Sequence, residues 1–507
     1  MLAQSFWALL VLLSFPLIRS QTTQLSLSFD TPVTLIGNNF STSASNPVLF
    51  SLPSSSQITI SLALCASASS NPPRVFVSSS GSVILGPSNA DGQNLSQVTL
   101  NGLGLGNFTL QFPAAGGGGG GGILAVYGGT QSDSLEIGVS QGETPLHAPL
   151  ADLPFFGDST ADQAILFSPA FLPPEPAPEP TFPNYTLPQA NTALPVPPSP
   201  SSSPNLTLFF APLDTGLTSL PQTACAIRAR GVPTESGNNS QSPRVLAEQP
   251  WLRDAEGWRR EWLVGPLQPL TNYSVYVIQD GTRLSRPLFF TTKSTNFSCP
   301  LVHALPYCPT TAYSVPLPQP HDGALLYDAS NLPDNLTSPL LSYLTNFTTS
   351  LLTNACGRDS YSPLRTCADC QAAYRHWLCA VSLPRCAEFP QAAPTTAVPQ
   401  QDGQATLGAP QIPPPALAPQ PSGMPWRNAA LGNASEDYAV LLPCIETCNA
   451  ADRACPVSLG FRCPRAETTG PQSYGVGFID SANGDVMGGG ATHSAQDQWG
   501  NVFCNGS

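Results

Sequence analysis

The chain has 507 residues, enough for about three domains of ordinary size, and its net charge is −13. Only 10 % of its residues are charged, against about 25 % in a typical globular protein, and the basic residues are 18 arginines and one lysine, Lys293. No basic face is available for nucleic acid, and a hydrophobic content of 41 % argues against a chain kept disordered by its charge.

The chain begins with a short apolar segment. Residues 6–18 read FWALLVLLSFPLI, which has the length of a signal-peptide core and is too short for a comfortable membrane span. We predict a signal peptide over residues 1–20, cleaved after Ser20, with an uncleaved anchor as the alternative. No later stretch reaches 18 consecutive apolar residues. The mature chain is therefore expected outside the cytoplasm.

Acceptor sequences for N-linked glycans are numerous, and they would supply the hydration that charged residues usually provide. A sequence of this composition also generates some of them by chance. We predict glycosylation at Asn39, Asn94, Asn107, Asn184, Asn205, Asn238, Asn272, Asn296, Asn335, Asn346 and Asn433. A twelfth acceptor sequence, at Asn505, lies three residues from the end of the sequence and is the weakest of the set.

Residues 23–150 predict a β-sandwich-like domain. Short runs rich in β-branched and aromatic residues, such as QITISLAL and SLEIGVS, are separated by Gly, Pro, Asn and Ser at close spacing. Seven glycines at 116–122 interrupt the pattern and predict a flexible loop. A phosphate-binding role for these glycines is not indicated, because no Lys-Ser/Thr follows them.

Residues 172–204 are dense in proline and predict a linker with polyproline II character. Residues 205–294 predict a second β-sandwich with ACAIRA (224–229) as one of its strands. Here the alternation of Tyr273, Val275 and Val277 resembles the tyrosine-corner strand of fibronectin type III domains. The charged segment 251–262, WLRDAEGWRREW, is predicted to be a solvated connecting loop, with a partner contact as the alternative.

Residues 299–507 predict a helical domain rich in cysteine. The segments 338–352 and 367–381 carry apolar residues at helical spacing, and in the second the stripe includes Cys370. Residues 444–455 repeat this combination. Residues 391–425, between the segments 367–381 and 444–455, are rich in Pro, Ala and Gln and predict a disordered insertion.

Twelve of the fourteen cysteines fall in this last region, which in an oxidising compartment predicts a disulfide framework. The predicted disulfide cysteines are Cys299, Cys308, Cys356, Cys367, Cys370, Cys379, Cys386, Cys444, Cys448, Cys455, Cys463 and Cys504. A zinc site at the C-x2-C of Cys367 and Cys370 is disfavoured, because no second C-x2-C follows at ribbon spacing. The pairing remains open, including whether Cys65 and Cys225 bond to each other.

The sequence carries no motif for catalysis. It has five histidines and no nucleophile elbow, zinc-protease motif or P-loop, and the DSANGD segment at 480–485 lacks the acidic spacing of a calcium loop. We therefore predict no enzyme, no catalytic or metal site and no cofactor. A secreted hydrolase assembled without a motif is the weakest of the alternatives.

The cysteines and the residues between them form a long pattern of fixed spacing. It runs from C-x4-YS-x4-C-x-DC-x3-Y-x2-WLC-x4-PRC, over 356–386, to PC-x3-C-x6-CP-x4-F-x-CP at 443–464, then Tyr474-Gly475 and Cys504-Asn505. This pattern resembles the fungal stretch-activated calcium-channel component family, the mating-induced-death family. Besides the cysteines, the matching residues are Tyr361, Asp369, Tyr374, Trp377, Pro384, Arg385, Phe461, Tyr474 and Gly475.

The residue patterns predict a multidomain chain, with two β-sandwich-like units followed by an α-helical, disulfide-rich domain, and the resemblance implies that this last domain is similar to frizzled-type domains. It further implies an accessory subunit on the extracellular face of the plasma membrane, reached through the secretory pathway, with the endoplasmic reticulum as a second location. The implied partner is a large four-repeat voltage-gated-type calcium channel pore subunit. Membrane association would come through that partner or through an uncleaved signal segment. The alternative is a secreted or cell-wall glycoprotein that binds a ligand through its frizzled-like domain.

Overall fold

A computed structural model describes most of the chain. The described residues are 25–37, 40, 47–66, 72–79, 95–112, 121–130, 132–175, 185–189, 196–230, 242–321, 323–357, 359–388, 416–465, 468–477 and 502–506. The predicted signal peptide, most of the glycine run and residues 391–415 of the predicted insertion lie outside them. The chain divides into a first unit, Met1–Leu146, and a second unit, His147–Ser507, which are described separately.

The described residues of the first unit form two sheets. One has five strands in the order β1-β3-β8-β5-β6, and the other has four in the order β2-β9-β4-β7. The only parallel pair among the described strands of this unit is β1 with β3. The strands are β1 Leu25–Ser26, β2 Val33–Ile36, β3 Val48–Ser51, β4 Gln57–Leu64, β5 Arg74–Ser78, β6 Leu95–Val98, β7 Leu105–Gln111, β8 Ile123–Tyr127 and β9 Ser134–Gln141.

Alternating apolar residues from both sheets meet in one core. Ile58, Ile60 and Leu62 of β4 are fully buried and share this core with Leu124 and Val126 of β8, which belongs to the other sheet. Because successive strand residues point to opposite faces, an apolar residue at every second position is what a two-sheet core requires. The first unit is thus a β-sandwich.

The second unit opens with another sandwich. Its sheets have the orders β10-β11-β14-β13 and β12-β15-β16, with β17 also paired to β15. Phe156 and Trp262 of one sheet pack with Val275 and Phe290 of the other. The strands are β10 Phe155–Ser159, β11 Ala164–Phe167, β12 Leu206–Pro212, β13 Arg244–Asp254, β14 Gly257–Gly265, β15 Asn272–Gln279, β16 Arg283–Leu284 and β17 Leu288–Thr291. Two of these strands, β10 and β11, precede the proline-rich segment.

The predicted tyrosine corner is formed. Tyr273 is fully buried, and its hydroxyl accepts a hydrogen bond from the backbone N–H of Gln268 at 2.9 Å. Its ring stacks on Phe290, with 5.4 Å between ring centroids. The hydroxyl therefore fixes the turn that leads into β15.

Replacing Tyr273 with phenylalanine should lower the free energy of unfolding by about 1 kcal/mol, since one buried acceptor for a backbone N–H is lost while the ring packing remains. Urea denaturation measures the change. Tyr343→Phe is the control, because the Tyr343 side chain is 58 % exposed and its change should stay within about 0.5 kcal/mol. Equal losses in the two variants would contradict this role of the corner hydroxyl.

The charged segment 251–262 is not a solvated loop, so that prediction is wrong. It forms the tip of the β13–β14 hairpin, in which Arg253 and Arg259 are buried. The Arg253 guanidinium lies 4.0 Å from the centroid of the Phe155 ring, and its burial lowers the pKa of the group to about 10. Arg259 donates to the carbonyl of Ser168 at 3.0 Å. The aliphatic parts of these arginine side chains cover apolar surface. The charge of the segment had favoured a solvated loop in the sequence.

The prediction of a strand at 224–229 is also wrong, because this segment is helix α1, Ala224–Arg230. Thr223 precedes it, and its Oγ1 accepts from the N–H of Ala226 at 3.3 Å. Alanine and arginine are strong helix formers, and a side-chain cap adds about 1 kcal/mol. These local preferences outweigh the single β-branched residue, Ile227.

In the residues that the structure describes, the rest of the second unit has three α-helices and five short strands. The first two helices begin and end close to the predicted positions, whereas the small sheet β20-β22-β21 was not predicted. Strand β21 lies inside the predicted disordered insertion. The elements are β18 Leu301–Val302, β19 Tyr313–Ser314, α2 Asp334–Leu351, α3 Cys367–Ser382, β20 Arg385–Ala387, β21 Leu417–Gln420, β22 Tyr438–Leu441 and α4 Ile445–Ala454.

One piece of the predicted proline-rich linker packs on these helices. Leu187 is 8 % exposed and joins a cluster with Leu351, Cys367 and Cys370. The Gln371 side chain donates to the carbonyl of Pro188 at 2.8 Å. The described residues 185–189 therefore form part of the cysteine-rich region that follows them by more than a hundred positions.

Candidate functional site: the cysteine-rich region

The twelve cysteines from Cys299 to Cys504 form six disulfide bonds, and the part of the chain that is described contains no free cysteine. The bonds are Cys299–Cys386, Cys308–Cys379, Cys356–Cys367, Cys370–Cys455, Cys444–Cys504 and Cys448–Cys463. Cys367 and Cys370 each bond to another cysteine, so neither offers a thiolate to zinc. Cys65 and Cys225 are both buried.

Helix α3 contains three of the disulfide-bonded cysteines. Cys367 bonds to the preceding loop, Cys370 bonds to the end of α4, and Cys379 bonds to the loop after β18. Cys370 and Cys379 face opposite neighbours because they lie nine residues apart on one helix. Three covalent bonds thus fix the position of this helix.

The start of α3 explains one of the family-matching residues. Thr366 is the N-cap, its Oγ1 accepts from the N–H of Asp369, and the Asp369 carboxylate accepts from the N–H of Thr366 at 2.9 Å. This reciprocal pair satisfies two N–H groups at the start of the helix. Tyr361, in the segment before α3, is bonded to the end of α4, since its hydroxyl donates to the carbonyl of Ala454 at 2.5 Å. Asp369 and Tyr361 therefore both have structural roles.

Four other matching residues come together on one side of α3. Tyr374 stacks on Phe347 of α2 with 3.5 Å between centroids, and Trp377 packs edge-on against Phe461 at 4.8 Å. The Trp377 indole N–H donates to the Tyr474 hydroxyl at 2.9 Å. With exposed Tyr343 they form what we call the aromatic surface: Tyr343, Phe347, Tyr374, Trp377, Phe461 and Tyr474. None of the six is fully buried.

Arg385 lies away from the aromatic surface, where the cysteine-rich region meets the sandwich of the second unit. Its Nε lies 3.2 Å from Asp158 Oδ2, and its Nη2 donates to the carbonyl of Gly157 at 2.7 Å. Lys293 lies 3.0 Å from the other oxygen of Asp158. Ser314 donates to the carboxylate from both its N–H and its hydroxyl, at 3.1 and 2.7 Å. We call these residues the Asp158 cluster: Asp158, Lys293, Ser314 and Arg385.

The Asp158 cluster is a compensated buried charge. Burial alone would raise the pKa of Asp158, but Arg385, Lys293 and the hydrogen bonds from Ser314 outweigh it and hold the pKa well below its usual range. Asp158 and Arg385 are 1 % and 3 % exposed. The cluster therefore joins strand β10 of the sandwich to β19 and β20 of the cysteine-rich region.

Gly475 is the matching residue with the tightest surroundings. A Cβ atom there would lie 2.4 Å from the Cβ of Ala416 and 2.7 Å from the Cβ of Cys504. The Gly475 N–H donates to Pro443, and its carbonyl accepts from Ile445, both at 2.9 Å. Glycine is required because residues 502–506 pass beside it. Pro384, the remaining matching residue, sits between α3 and β20.

Replacing Gly475 with alanine should destabilise the region by about 1–3 kcal/mol, because the added methyl overlaps two side chains that are themselves fixed. Thermal unfolding of the secreted chain measures this. Gly102→Ala serves as the control, since a Cβ at Gly102 meets no atom within 4 Å. A variant as stable as the wild type would show that the segment can move aside.

The predicted glycosylation sites divide into two groups. Asn107, Asn205, Asn272, Asn296, Asn335, Asn346 and Asn433 are all exposed. Asn39, Asn94, Asn184 and Asn238 lie outside the described residues. Each of the seven exposed asparagines is on a surface that can carry a glycan without disturbing the core.

Sequence reasoning did not single out Asp158, Ser314 or Phe347. Asp158 pairs with Arg385 across 227 residues of chain, and Ser314 donates to the same carboxylate. One signal was available: Lys293 is the chain's single lysine, and a lone cation next to a predicted strand merits a search for a buried carboxylate.

Within the described residues, we find no helix with both the length and the apolar character needed to cross a membrane.

Comparison with known proteins places these features in a family. A family model described as "Mid1: Stretch-activated Ca2+-permeable channel component" matches residues 125–488. "Stretch-activated cation channel MID1" of Cryptococcus neoformans var. grubii is 36 % identical over 427 residues, covering 80 % of this chain and 66 % of that protein. "Stretch-activated cation channel yam8" of Schizosaccharomyces pombe is 27 % identical over 272 residues, 52 % of this chain and 48 % of that one. "Stretch-activated cation channel MID1" of Saccharomyces cerevisiae is 33 % identical over 257 residues, 46 % and 41 %.

The chain belongs to the family of stretch-activated Ca2+-permeable channel components, which confirms the resemblance seen in the cysteine spacing. The matched residues include most of the second unit, with the Asp158 cluster and the aromatic surface. The chain spans less than two thirds of the length of these relatives. The names of these relatives describe channels and no enzymatic activity.

Proposed function

We propose that the protein is a regulatory subunit of a stretch-activated calcium channel in the plasma membrane. It supports calcium influx by binding the extracellular face of a large pore-forming subunit of the four-repeat, voltage-gated type. The observation that carries this proposal is membership of the channel-component family together with a cysteine-rich region closed by six disulfides. It is not proposed to act as an enzyme.

The extracellular location is supported by the covalent chemistry of the chain. Six disulfides persist in the oxidising secretory pathway and outside the cell, and they are rare in the cytosol. Seven predicted glycan acceptors are exposed, which suits a chain that receives glycans on its way to the cell surface. Both features favour a subunit that contacts its partner from outside.

The aromatic surface is the part of the cysteine-rich region that we propose contacts the pore subunit. Tyrosine and tryptophan dominate the binding energy of protein interfaces, because they bury much area with few rotatable bonds and retain a polar group. Tyr343 is 58 % exposed at the edge of this surface. The disulfides of α3 hold Tyr374 and Trp377 in place, so little conformational entropy is lost on binding.

Co-purification from a fungal strain that lacks the native gene tests the proposal. The full chain is expressed in that strain, and we expect it to restore stretch-evoked calcium uptake and to retain a large multi-span membrane protein through mild detergent extraction. Recovery of a cell-wall glycan with no such membrane protein would contradict the proposal and favour a ligand-binding surface glycoprotein.

A matched pair of variants tests the aromatic surface separately. Tyr343→Ser should lower partner recovery by about tenfold, because it removes the most exposed aromatic ring of the proposed contact. Leu325→Ser is the control, because Leu325 is 52 % exposed and lies outside the aromatic surface. Equal recovery with both variants would reject this surface as the contact while leaving the subunit role to the first experiment.

A further inference from the structure

The acceptor sequence at Asn505 differs from the exposed ones in its surroundings. Asn505 is fully buried, with an exposed fraction of 0 %. Its backbone N–H donates to Leu442 at 2.8 Å, and its carbonyl accepts from Cys444 at 2.9 Å, so the last described residues run as an added strand beside 442–444. The neighbouring Cys504 is bonded to Cys444.

The side-chain amide of Asn505 is enclosed by acceptors. Its Nδ2 lies 3.0 Å from the carbonyl of Ala380 and 3.3 Å from both the carbonyl of Leu383 and the hydroxyl of Tyr313. Tyr313 is 1 % exposed, and its own hydroxyl donates to the Leu383 carbonyl at 2.9 Å. The nitrogen that would carry a glycan is therefore the atom that anchors this segment to the end of α3.

N-glycosylation requires that same nitrogen to be accessible to the transferase. An oligosaccharide leaves a lipid-linked diphosphate donor as its C1–O bond breaks, a C1–Nδ2 bond forms, Nδ2 gives up one proton, and the lipid diphosphate departs. A sugar on Nδ2 cannot occupy the space now filled by α3 and Tyr313. Native placement of Asn505 and its glycosylation exclude each other.

We propose that Asn505 is a latent glycosylation site that the Cys444–Cys504 disulfide keeps closed. While the bond is absent, residues 502–506 are available to the transferase; once it has formed, the amide is buried and the site is lost. A chain modified at Asn505 could not place residues 502–506 beside residues 442–444. The glycan would thus mark chains in which this disulfide formed late. This inference rests on the entry into the secretory pathway that is part of the proposed function.

Site-resolved glycan occupancy tests the inference. The full chain is expressed in yeast, total cell and secreted fractions are treated with peptide-N-glycosidase in ¹⁸O water, and labelled aspartate is measured by mass spectrometry. In the wild type we expect Asn433 and Asn272 to be occupied and Asn505 to be unmodified. Cys444→Ser leaves residues 502–507 unchanged and should raise occupancy of Asn505 in the cell fraction by about tenfold or more, because it removes the bond that closes the site.

A second variant separates loss of this bond from general misfolding. Cys448→Ser breaks the neighbouring Cys448–Cys463 bond and should leave Asn505 unmodified. Occupied Asn505 in secreted wild type, or unmodified Asn505 in Cys444→Ser with Asn433 occupied, would overturn the inference. Equal occupancy of Asn505 in both cysteine variants would also overturn it. No glycan at Asn433 or Asn272 would instead contradict secretory entry, and with it the proposed location.

Discussion

Replacing Asp158 with alanine is expected to lower the free energy of unfolding of the second unit by about 3–5 kcal/mol, the usual cost of removing one partner from a buried ion pair. The variant leaves the Arg385 guanidinium buried with no carboxylate beside it, and Lys293 and Ser314 lose the same partner. Urea denaturation followed by tryptophan fluorescence measures the change, since Trp251, Trp258 and Trp262 all lie in this unit.

Asp162→Ala is the matched control, because this aspartate lies four residues away, is exposed, and its carboxylate accepts a hydrogen bond from the nearby Thr160 hydroxyl. Its effect should stay within about 0.5 kcal/mol. The double variant Asp158→Ala/Arg385→Ala should cost less than the sum of the single variants, since the second change removes the charge stranded by the first. Additive effects would show that the two groups do not stabilise each other.

The same carboxylate makes stability depend on acid pH. Because the pKa of Asp158 is lower in the folded chain than in the unfolded chain, its contribution is present above the unfolded pKa of about 3.9 and is lost as pH falls below that value. Asp158→Asn should therefore be less stable than the wild type at neutral pH. It should also lose less of its remaining stability than the wild type does as the pH falls below 5. A variant with the full acid sensitivity of the wild type would assign that sensitivity to other carboxylates.

The second large effect is expected from the disulfide between α3 and α4. Cys370→Ser/Cys455→Ser should lower stability by about 2–5 kcal/mol and abolish secretion, because the bond closes 85 residues and joins the two helices of the core. The measurements are the amount of secreted chain and the thermal midpoint of the chain purified from the cell fraction.

Cys356→Ser/Cys367→Ser provides the comparison on the same helix. This bond closes only 11 residues, so the entropic model predicts a loss smaller by about 2 kcal/mol. We expect this variant to be secreted in reduced amount. A reversed order of stability would show that loop length does not determine the contribution of these bonds.

The sequence was most informative where local chemistry decides the structure. Helix α3 was predicted at 367–381 and is found at Cys367–Ser382, because its apolar stripe and the Thr366–Asp369 cap act within a few residues. The tyrosine corner is equally local. Where local preference and the strand pattern disagreed, as at 224–229, the helix-forming residues determined the outcome.

Long-range partners could not be read from the chain. Arg385 meets Asp158 from 227 residues away, and the Asn505 amide reaches Tyr313 across 192. The predicted loop at 251–262 failed for a related reason: charged residues were taken as solvated, whereas Arg253 stacks on Phe155 inside the unit. Disulfide pairing was open for the same cause, since spacing alone does not say which faces meet.

The most direct measurement of the subunit role is a current recording from planar bilayers that contain the purified 507-residue chain alone. If the protein acts through a separate pore subunit, tension applied to these bilayers should evoke no cation current, while membranes from the complemented strain should conduct calcium under the same tension. A stretch-evoked cation current from the purified chain by itself would contradict the proposed function.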